Sequence, residues 1–278
     1  SYITKNYHNQ NYSSDVEIDM ERCALFDSVN DLISACELVF LVLPSAYTEE
    51  VLKELSIEEV QKVHFFSATK GILPETNLTV TQYLQSILQV SEQKIGFISG
   101  PSHAEEIARE RLTYLTVMSK NNALAQEVAA LLSNRYILAK VNSDVLGAEY
   151  ATALKNVMAI AVGIAHGLGY GDNFIAVLVS NALKEIERFV NTLHPHQRNI
   201  TDYVYLGDLL VTCYSQYSRN RTLGLMLGKG YSIKAAQLEM NMVAEGYYAV
   251  KSIVKISNEI KIEMPISQTV YHILYERY

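Results

Sequence analysis

Lys155 is the residue of this sequence best placed to do chemistry. It stands with Asn156 in the middle of VLGAEYATALKNVMAIAVGIA (145–165), a run otherwise made mostly of apolar and small residues. Lysine is rarely buried without a partner, because its ammonium is costly to desolvate. Two readings are open. The side chain can snorkel, with its stem on apolar surface and its head in water. Alternatively it is held inside, since Ala151, Ala153, Ala159, Ala161 and Gly163 let neighbouring elements come close and leave a long side chain little room to escape. Asn156 then supplies a second polar group at the same level. A desolvated lysine near a compensating carboxylate is a proton donor or acceptor, because burial moves its pKa toward the working range. We place the function here.

The elements that must position this lysine follow from hydrophobic periodicity. Up to about residue 141, apolar runs alternate with helix-like spacing. LVFLVLP (38–44) reads as a strand buried on both faces and closed by proline. VHFFSA (62–67), KIGFISG (94–100), LTYLTVMS (112–119) and RYILAKV (135–141) read as further strands, with helical patterns over 28–36, 46–60, 77–90 and 122–133. Such alternation implies a mostly parallel sheet, whose ligands collect outside the carboxyl ends of its strands. The segments to watch are therefore Pro44-Ser45, Thr69-Lys70-Gly71 and Gly100-Pro101-Ser102-His103. From Asp144 onward the pattern is helical: 144–167, 172–193, 202–217, 218–228, 232–238, 241–258 and 266–276, with Asp144 and Ser232 as N-caps. The fold class is thus an α/β sheet domain (1–141) followed by an all-helical domain (142–278).

Composition bounds the partners. A net charge of -7 with no dense Lys/Arg stripe argues against a nucleic-acid surface. Three scattered cysteines without CxxC spacing fit reduced thiols in a cytoplasmic protein and offer no metal signature. The start, SYITKNYHNQNYSS, lacks the form of a signal peptide. Glu149 and Lys155 make 145–165 a buried core helix rather than a membrane span. No G-x-G-x-x-G follows a strand; Gly167-Leu-Gly-Tyr-Gly171 and Gly228-Lys-Gly230 read as helix-ending glycines instead of phosphate loops.

Several motifs occur in order: ATKGILPET (68–76), ISGPSHAEEIA (98–108), LGAEYATALKNVMAIAVGIAHGLGYGDN (146–173), LGDLLVTC (206–213), YSRNRTLGLMLGKG (217–230) and MVAEGYYAVK (242–251). Together they resemble the bacterial-type NAD(P)-dependent glycerol-3-phosphate dehydrogenases, from about residue 10 to 278. The resemblance implies a Rossmann domain, a helical substrate domain, NAD or NADP as cofactor, and reversible reduction of dihydroxyacetone phosphate to sn-glycerol 3-phosphate for glycerophospholipid synthesis. It implies that Lys155 is the acid/base at the carbonyl oxygen, that Lys70 steadies substrate and developing charge, and that Asp208 holds Lys155 and the substrate hydroxyls. Gly100 and Ser102 would touch the glycerol phosphate, and Ser218, Arg219 and Asn220 its phosphate. Pro44, Lys70, Ala104, Arg219, Val243 and Glu245 would face the nucleotide. His103 stands where the family often has an aromatic and is read as wall; no metal is required, because lysine supplies the electrophile. Tyr205 and Leu206 stand where the family more often has small residues before Gly207-Asp208. A homodimer is among the assemblies this resemblance allows.

Relative to the family, the sequence is expected to lack the first βαβ unit with its glycine-rich loop and part of the last helix, and hence, as written, to bind dinucleotide weakly and to turn over nothing measurable. Two other readings stand beside this one. A sister β-hydroxyacid dehydrogenase would take a carboxylate substrate and need no Ser218-Arg219-Asn220 phosphate clamp. A non-catalytic binding or assembly protein would leave Lys155, Asp208 and Arg219 without a purpose.

Overall fold

Five short apolar runs do become strands: β1 (Leu38–Leu41), β2 (His64–Ser67), β3 (Ile95–Ser99), β4 (Thr113–Ser119) and β5 (Ile137–Asn142). The computed structural model describes residues 2–9, 16–240 and 244–276. Among these the strands form one sheet in the order β1-β2-β3-β4-β5, parallel throughout except for the antiparallel pair β3–β4. Phe65, Phe66 and Phe97, at its centre, are fully enclosed. The helices of this half are α1 (Tyr2–Asn6), α2 (Val29–Ser34), α3 (Ser45–Lys53), α4 (Ile57–Val60), α5 (Val80–Ser86), α6 (Ala104–Ala108) and α7 (Asn122–Leu132).

Two expectations are corrected here. β1 is not buried on both faces: its residues alternate, with Val39 and Leu41 in the core and Leu38 and Phe40 only partly covered, and Val42 beyond it is 70% exposed. The reason is position, since β1 is the edge of the described sheet and flanking elements cover its second face incompletely. The helical pattern over 46–60 is broken at Glu54–Ser56 into α3 and α4.

The second half is built on α8 (Val145–Gly167), capped by the Asp144 carboxylate, which accepts from the Gly147 N–H at 3.2 Å. This is the one helix among the described residues apolar and long enough to cross a membrane, but it is enclosed by protein on nearly every side and is a core helix. Around it stand α9 (Asp172–Leu193), a π-helical turn (Tyr203–Gly207), α10 (Asp208–Tyr214), α11 (Arg219–Gly228), α12 (Ile233–Glu239), α13 (Glu245–Glu259) and α14 (Pro265–Tyr275). The glycine strings after α8 and α11 end helices as expected, with Gly169 at φ 85° and Gly230 at φ 91°. The Ser232 hydroxyl caps α12 through Ala235 N–H.

The small residues of α8 are used at the α11 crossing. A Cβ on Gly163 would lie 2.8 Å from Leu225 N and 2.9 Å from Gly224 Cα, and one on Gly224 would lie 2.9 Å from Ile164 N. The two backbones touch, with no side chain between them at this crossing.

α8 is tied to the sheet half by Glu149, whose buried carboxyl accepts from Thr79 Oγ1 at 2.6 Å, from Thr81 N–H at 3.2 Å and from Thr81 Oγ1, at the start of α5. Burial raises its pKa to about 7, against the pull of these donors. Because the folded-state pKa is the higher one, its contribution to stability is complete below about 4.5 and is lost as pH rises through about 7. Glu149→Gln should therefore flatten the fall in unfolding free energy between pH 5 and pH 7. Denaturant titrations at pH 5, 6 and 7 would show it, and a slope equal to that of the parent would refute it.

Candidate active site

Lys155 lies three helical turns into α8 with its side chain only 5% exposed, and it does not snorkel. Its ammonium is ion-paired to the Asp208 carboxylate, itself 1% exposed. Burial pulls the Lys155 pKa down to about 8; Asp208 works against that fall and Lys70 adds to it. Such a group holds a proton at neutral pH and can release it, as a general acid requires.

Asp208 is the first residue of α10, but it caps nothing there. One oxygen takes Lys155, and the other accepts from Ser99 Oγ at 3.1 Å, at the end of β3. Ser99 in turn meets Thr152 Oγ1 at 3.1 Å, one turn before Lys155 on α8. The acid/base pair is thus seated on the carboxyl end of a central strand. The Cys213 thiol, also buried beside it, is pushed up by burial to about 12 and stays protonated.

Asn156 has a separate duty. Its side-chain amide donates to the backbone carbonyl of Lys70 at 2.8 Å, fixing the loop after β2 against α8. Lys70 is half-buried, and its ammonium reaches Ser102 Oγ at 3.5 Å. Ser102 is turned back by its own bond to the Gly100 carbonyl at 2.9 Å. Gly100 sits at φ 138°, and a Cβ there would press to within 3.3 Å of Leu115 Cα, so the bend that presents Pro101-Ser102 requires glycine. Lys70, Ser102, Lys155 and Asp208 therefore converge beyond the carboxyl ends of β2 and β3. His103 forms part of this wall, its ring 6.1 Å from that of Tyr217; Nε2 is buried with no hydrogen-bond partner among the described residues, and burial, then Lys155 and Lys70, lower its pKa.

The Ser218-Arg219-Asn220 turn opens α11. Ser218 Oγ caps the helix by accepting from Arg221 N–H at 3.3 Å, and Asn220 Oδ1 accepts from Gly246 N–H at 2.8 Å, at the start of α13. Arg219 is exposed and has no hydrogen bond or ion pair among the described residues. Glu245 opens α13 and reaches across to α3: its carboxylate accepts from Ser45 N–H at 3.1 Å and from Ser45 Oγ. Burial raises its pKa, which those donors and the Arg219 charge oppose. Pro44 is the N-cap of α3 and Ala104 the first residue of α6, both at strand ends on this side. Val243 lies outside the described residues.

Sequence reasoning marked Pro44-Ser45 as a segment to watch but not the Ser45 bond to Glu245, and it passed over Ser99, Thr152 and the duty of Asn156. Their partners lie tens of residues away or more, so local spacing holds no sign of them. It also passed over a network behind the site. The buried Asp144 carboxylate accepts from Arg198 Nε at 2.7 Å and from the Tyr205 hydroxyl at 2.5 Å. Burial alone would raise the Asp144 pKa, but the bonds from Arg198 and Tyr205 hold it below the usual carboxylate range. Burial and the bond to Asp144 raise that of Tyr205, which stays a neutral donor.

The donor set suits the reactive end of a nicotinamide dinucleotide. Lysine and arginine cations, a buried carboxylate and the starts of α3 and α6 ring the strand ends, whereas no glycine-rich loop follows any described strand. Comparison with known proteins agrees. The family models described as the N-terminus and C-terminus of NAD-dependent glycerol-3-phosphate dehydrogenase match residues 1–125 and 144–278. The NAD(P)+ glycerol-3-phosphate dehydrogenase of Staphylococcus epidermidis is 36% identical over 275 residues, covering 99% of this chain and 82% of that protein. The crystal structure of glycerol-3-phosphate dehydrogenase from Coxiella burnetii superposes with a TM-score of 0.90 at 29% identity, over 100% of this chain and 84% of the other. By contrast a ketopantoate reductase from Ralstonia eutropha reaches a TM-score of 0.54 at 13% identity, a likeness of fold alone. With both halves matched, and the lysine, carboxylate and arginine gathered at one sheet edge, this chain belongs to the NAD-dependent glycerol-3-phosphate dehydrogenase family.

Proposed function

We propose that the natural protein carrying this sequence catalyses reversible hydride transfer between NAD(P)H and dihydroxyacetone phosphate, giving sn-glycerol 3-phosphate, with Lys155 as the proton donor. The observation that carries this reading is the buried Lys155–Asp208 pair at the carboxyl edge of the sheet. When bound, the reduced nicotinamide supplies the hydride. Lys155 gives its proton to the substrate carbonyl oxygen as charge develops there, and takes it back in the reverse direction. Asp208 keeps that ammonium charged and aimed, and its Ser99 bond keeps the carboxylate from swinging away. Lys70, held through its backbone by Asn156, adds positive charge beside the developing alkoxide, with Ser102 and Gly100 lining the same wall.

Arg219, with Ser218 and Asn220, holds the substrate phosphate; a planar guanidinium with no hydrogen bond or ion pair among the described residues suits a phosphate oxygen pair. Pro44, Lys70, Ala104, Arg219, Val243 and Glu245 are the residues we assign to the nucleotide. We also divide the chain into a nucleotide-binding unit (1–141) and a substrate unit (142–278), a division supported by the change from β5 to α8 at Asn142–Val145.

The pH dependence tests the lysine. Reduction needs the protonated form, so kcat for dihydroxyacetone phosphate should fall as pH rises through about 8, whereas glycerol 3-phosphate oxidation should rise through the same value. Asp208→Asn removes the anion that holds the proton, so it should move both breaks to lower pH. Steady-state rates in both directions from pH 6 to 10, on the natural full-length protein, would check this. Breaks that stay put in Asp208→Asn would exclude Lys155 as the titrating group.

A further inference from the structure

We propose that Tyr205 is a positioning residue for the reaction: its hydroxyl, bonded to Asp144, sets where the π-helical turn places Asp208 against Lys155. This rests on the reading of Lys155 as the proton donor. Asp144 is fully buried and caps the start of α8, the helix that carries Lys155 ten residues further on, about 15 Å along the axis. The same carboxylate receives Tyr205 from the π-helical turn and Arg198 from the segment after α9. Arg198 is fixed in turn by donating to the His194 carbonyl at 2.8 Å and to Asn191 Oδ1. One carboxylate thus joins the beginning of the lysine helix, the end of α9 and the turn that runs directly into Asp208.

The turn needs such a tie. A π-helical turn is rare and wide, and its i→i+5 bonds give poorer packing than an α-helix, so it persists where side chains hold it. Its main-chain closure by Gly207 N–H on the Asp202 carbonyl is long, at 3.5 Å. Val204 and Tyr205 are the buried side chains of this turn, and Tyr205, 2% exposed, is the one that makes a hydrogen bond inward, whereas Tyr203 lies outside against Lys140, whose ammonium is 4.5 Å from its ring centre. Only two residues separate the Tyr205 anchor from Asp208, so slack at the anchor is passed to the carboxylate. The Tyr205 ring is enclosed by protein and its tip makes the bond to Asp144.

Lys155 reports on the displacement. The groups that face its ammonium are Asp208 and Cys213 from α10, Lys70 from the loop after β2, and His103 from the loop after β3. Of these Asp208 alone is an anion, so any retreat of Asp208 lowers the pH at which Lys155 gives up its proton. Tyr205→Phe keeps the ring and removes the bond. It should lower kcat for dihydroxyacetone phosphate reduction about five- to tenfold, leave KM for the nucleotide within twofold, and shift the alkaline break of kcat downward by at least half a pH unit. Arg198→Gln, which loosens the same carboxylate from the other side, should shift the break in the same direction. Tyr203→Phe, in the same turn but without the tie, should leave it in place.

An unmoved break in Tyr205→Phe, with or without a lower melting temperature, would overturn the proposal and leave Tyr205 as packing alone. A shift of equal size in Tyr203→Phe would overturn it too, since the tie would then not be what matters. If Tyr205→Phe folds too poorly to assay, Arg198→Gln decides by the same two measurements. Failure of the lysine assignment is distinguishable: the parent enzyme would then show no break that Lys155→Met abolishes.

Discussion

Lys155→Met is expected to lower kcat for dihydroxyacetone phosphate reduction by at least ~10²-fold, the usual worth of a positioned proton donor, while nucleotide binding changes little. Methionine matches the length of the lysine stem and fills the same space in α8, so packing is conserved. The substitution removes only the proton and the charge. It also leaves Asp208 buried without its cation, which will cost stability, so melting temperature should be recorded beside kcat. Binding of NADH, followed by fluorescence or calorimetry, separates a lost proton from a lost fold. Near-normal kcat in a folded Lys155→Met protein would return the lysine to a packing role and remove the basis of the mechanism.

Arg219→Ala should cost roughly 1.5–3 kcal/mol of transition-state binding for dihydroxyacetone phosphate, the range for a hydrogen bond to a charged group, read as a ten- to hundredfold loss in kcat/KM. The same variant should barely affect dihydroxyacetone, which has no phosphate to hold. Of the three residues in this turn, Ser218 already caps α11 and Asn220 already holds Gly246 N–H, so Arg219 carries the free charge. Equal losses on both substrates would mean that the arginine supports the fold or the nucleotide instead of the phosphate. Activity surviving on a 2-oxo carboxylate instead would favour the sister enzymes.

Much of this was legible without coordinates, for physical reasons that differ from element to element. The strands at 62–67, 94–100 and 112–119 were readable because central strands of a covered sheet are apolar on both faces, so their runs are continuous. The same rule failed for β1, where edge position leaves one face partly open and no residue type announces an edge. α8 was readable to within a residue at each end, because a capping aspartate and terminal glycines bracket it. The segment 202–217 was read as one helix, whereas a π-helical turn precedes α10 there; nothing in YVYLG distinguishes i→i+5 from i→i+4 bonding. Lys155 could be singled out by burial logic alone. Its partner could not, because Asp208 lies 53 residues away and reads locally as a helix cap. The supporting contacts of Asn156 with Lys70 and Glu149 with Thr79 and Thr81 span still longer separations and are products of the fold.

The backbone contact between α8 and α11 has a consequence for which substrates fit. Lys155 rides on one of these helices and Arg219 begins the other, and at Gly163 and Gly224 there is no side chain between them to compress. On the proposed roles of these two residues, the gap between the proton source and the phosphate anchor is therefore set by the backbone contact when the protein folds. It acts as a calliper. On the proposed roles of Lys155 and Arg219, selection by length is then set by two glycines, Gly163 and Gly224, that belong to neither role.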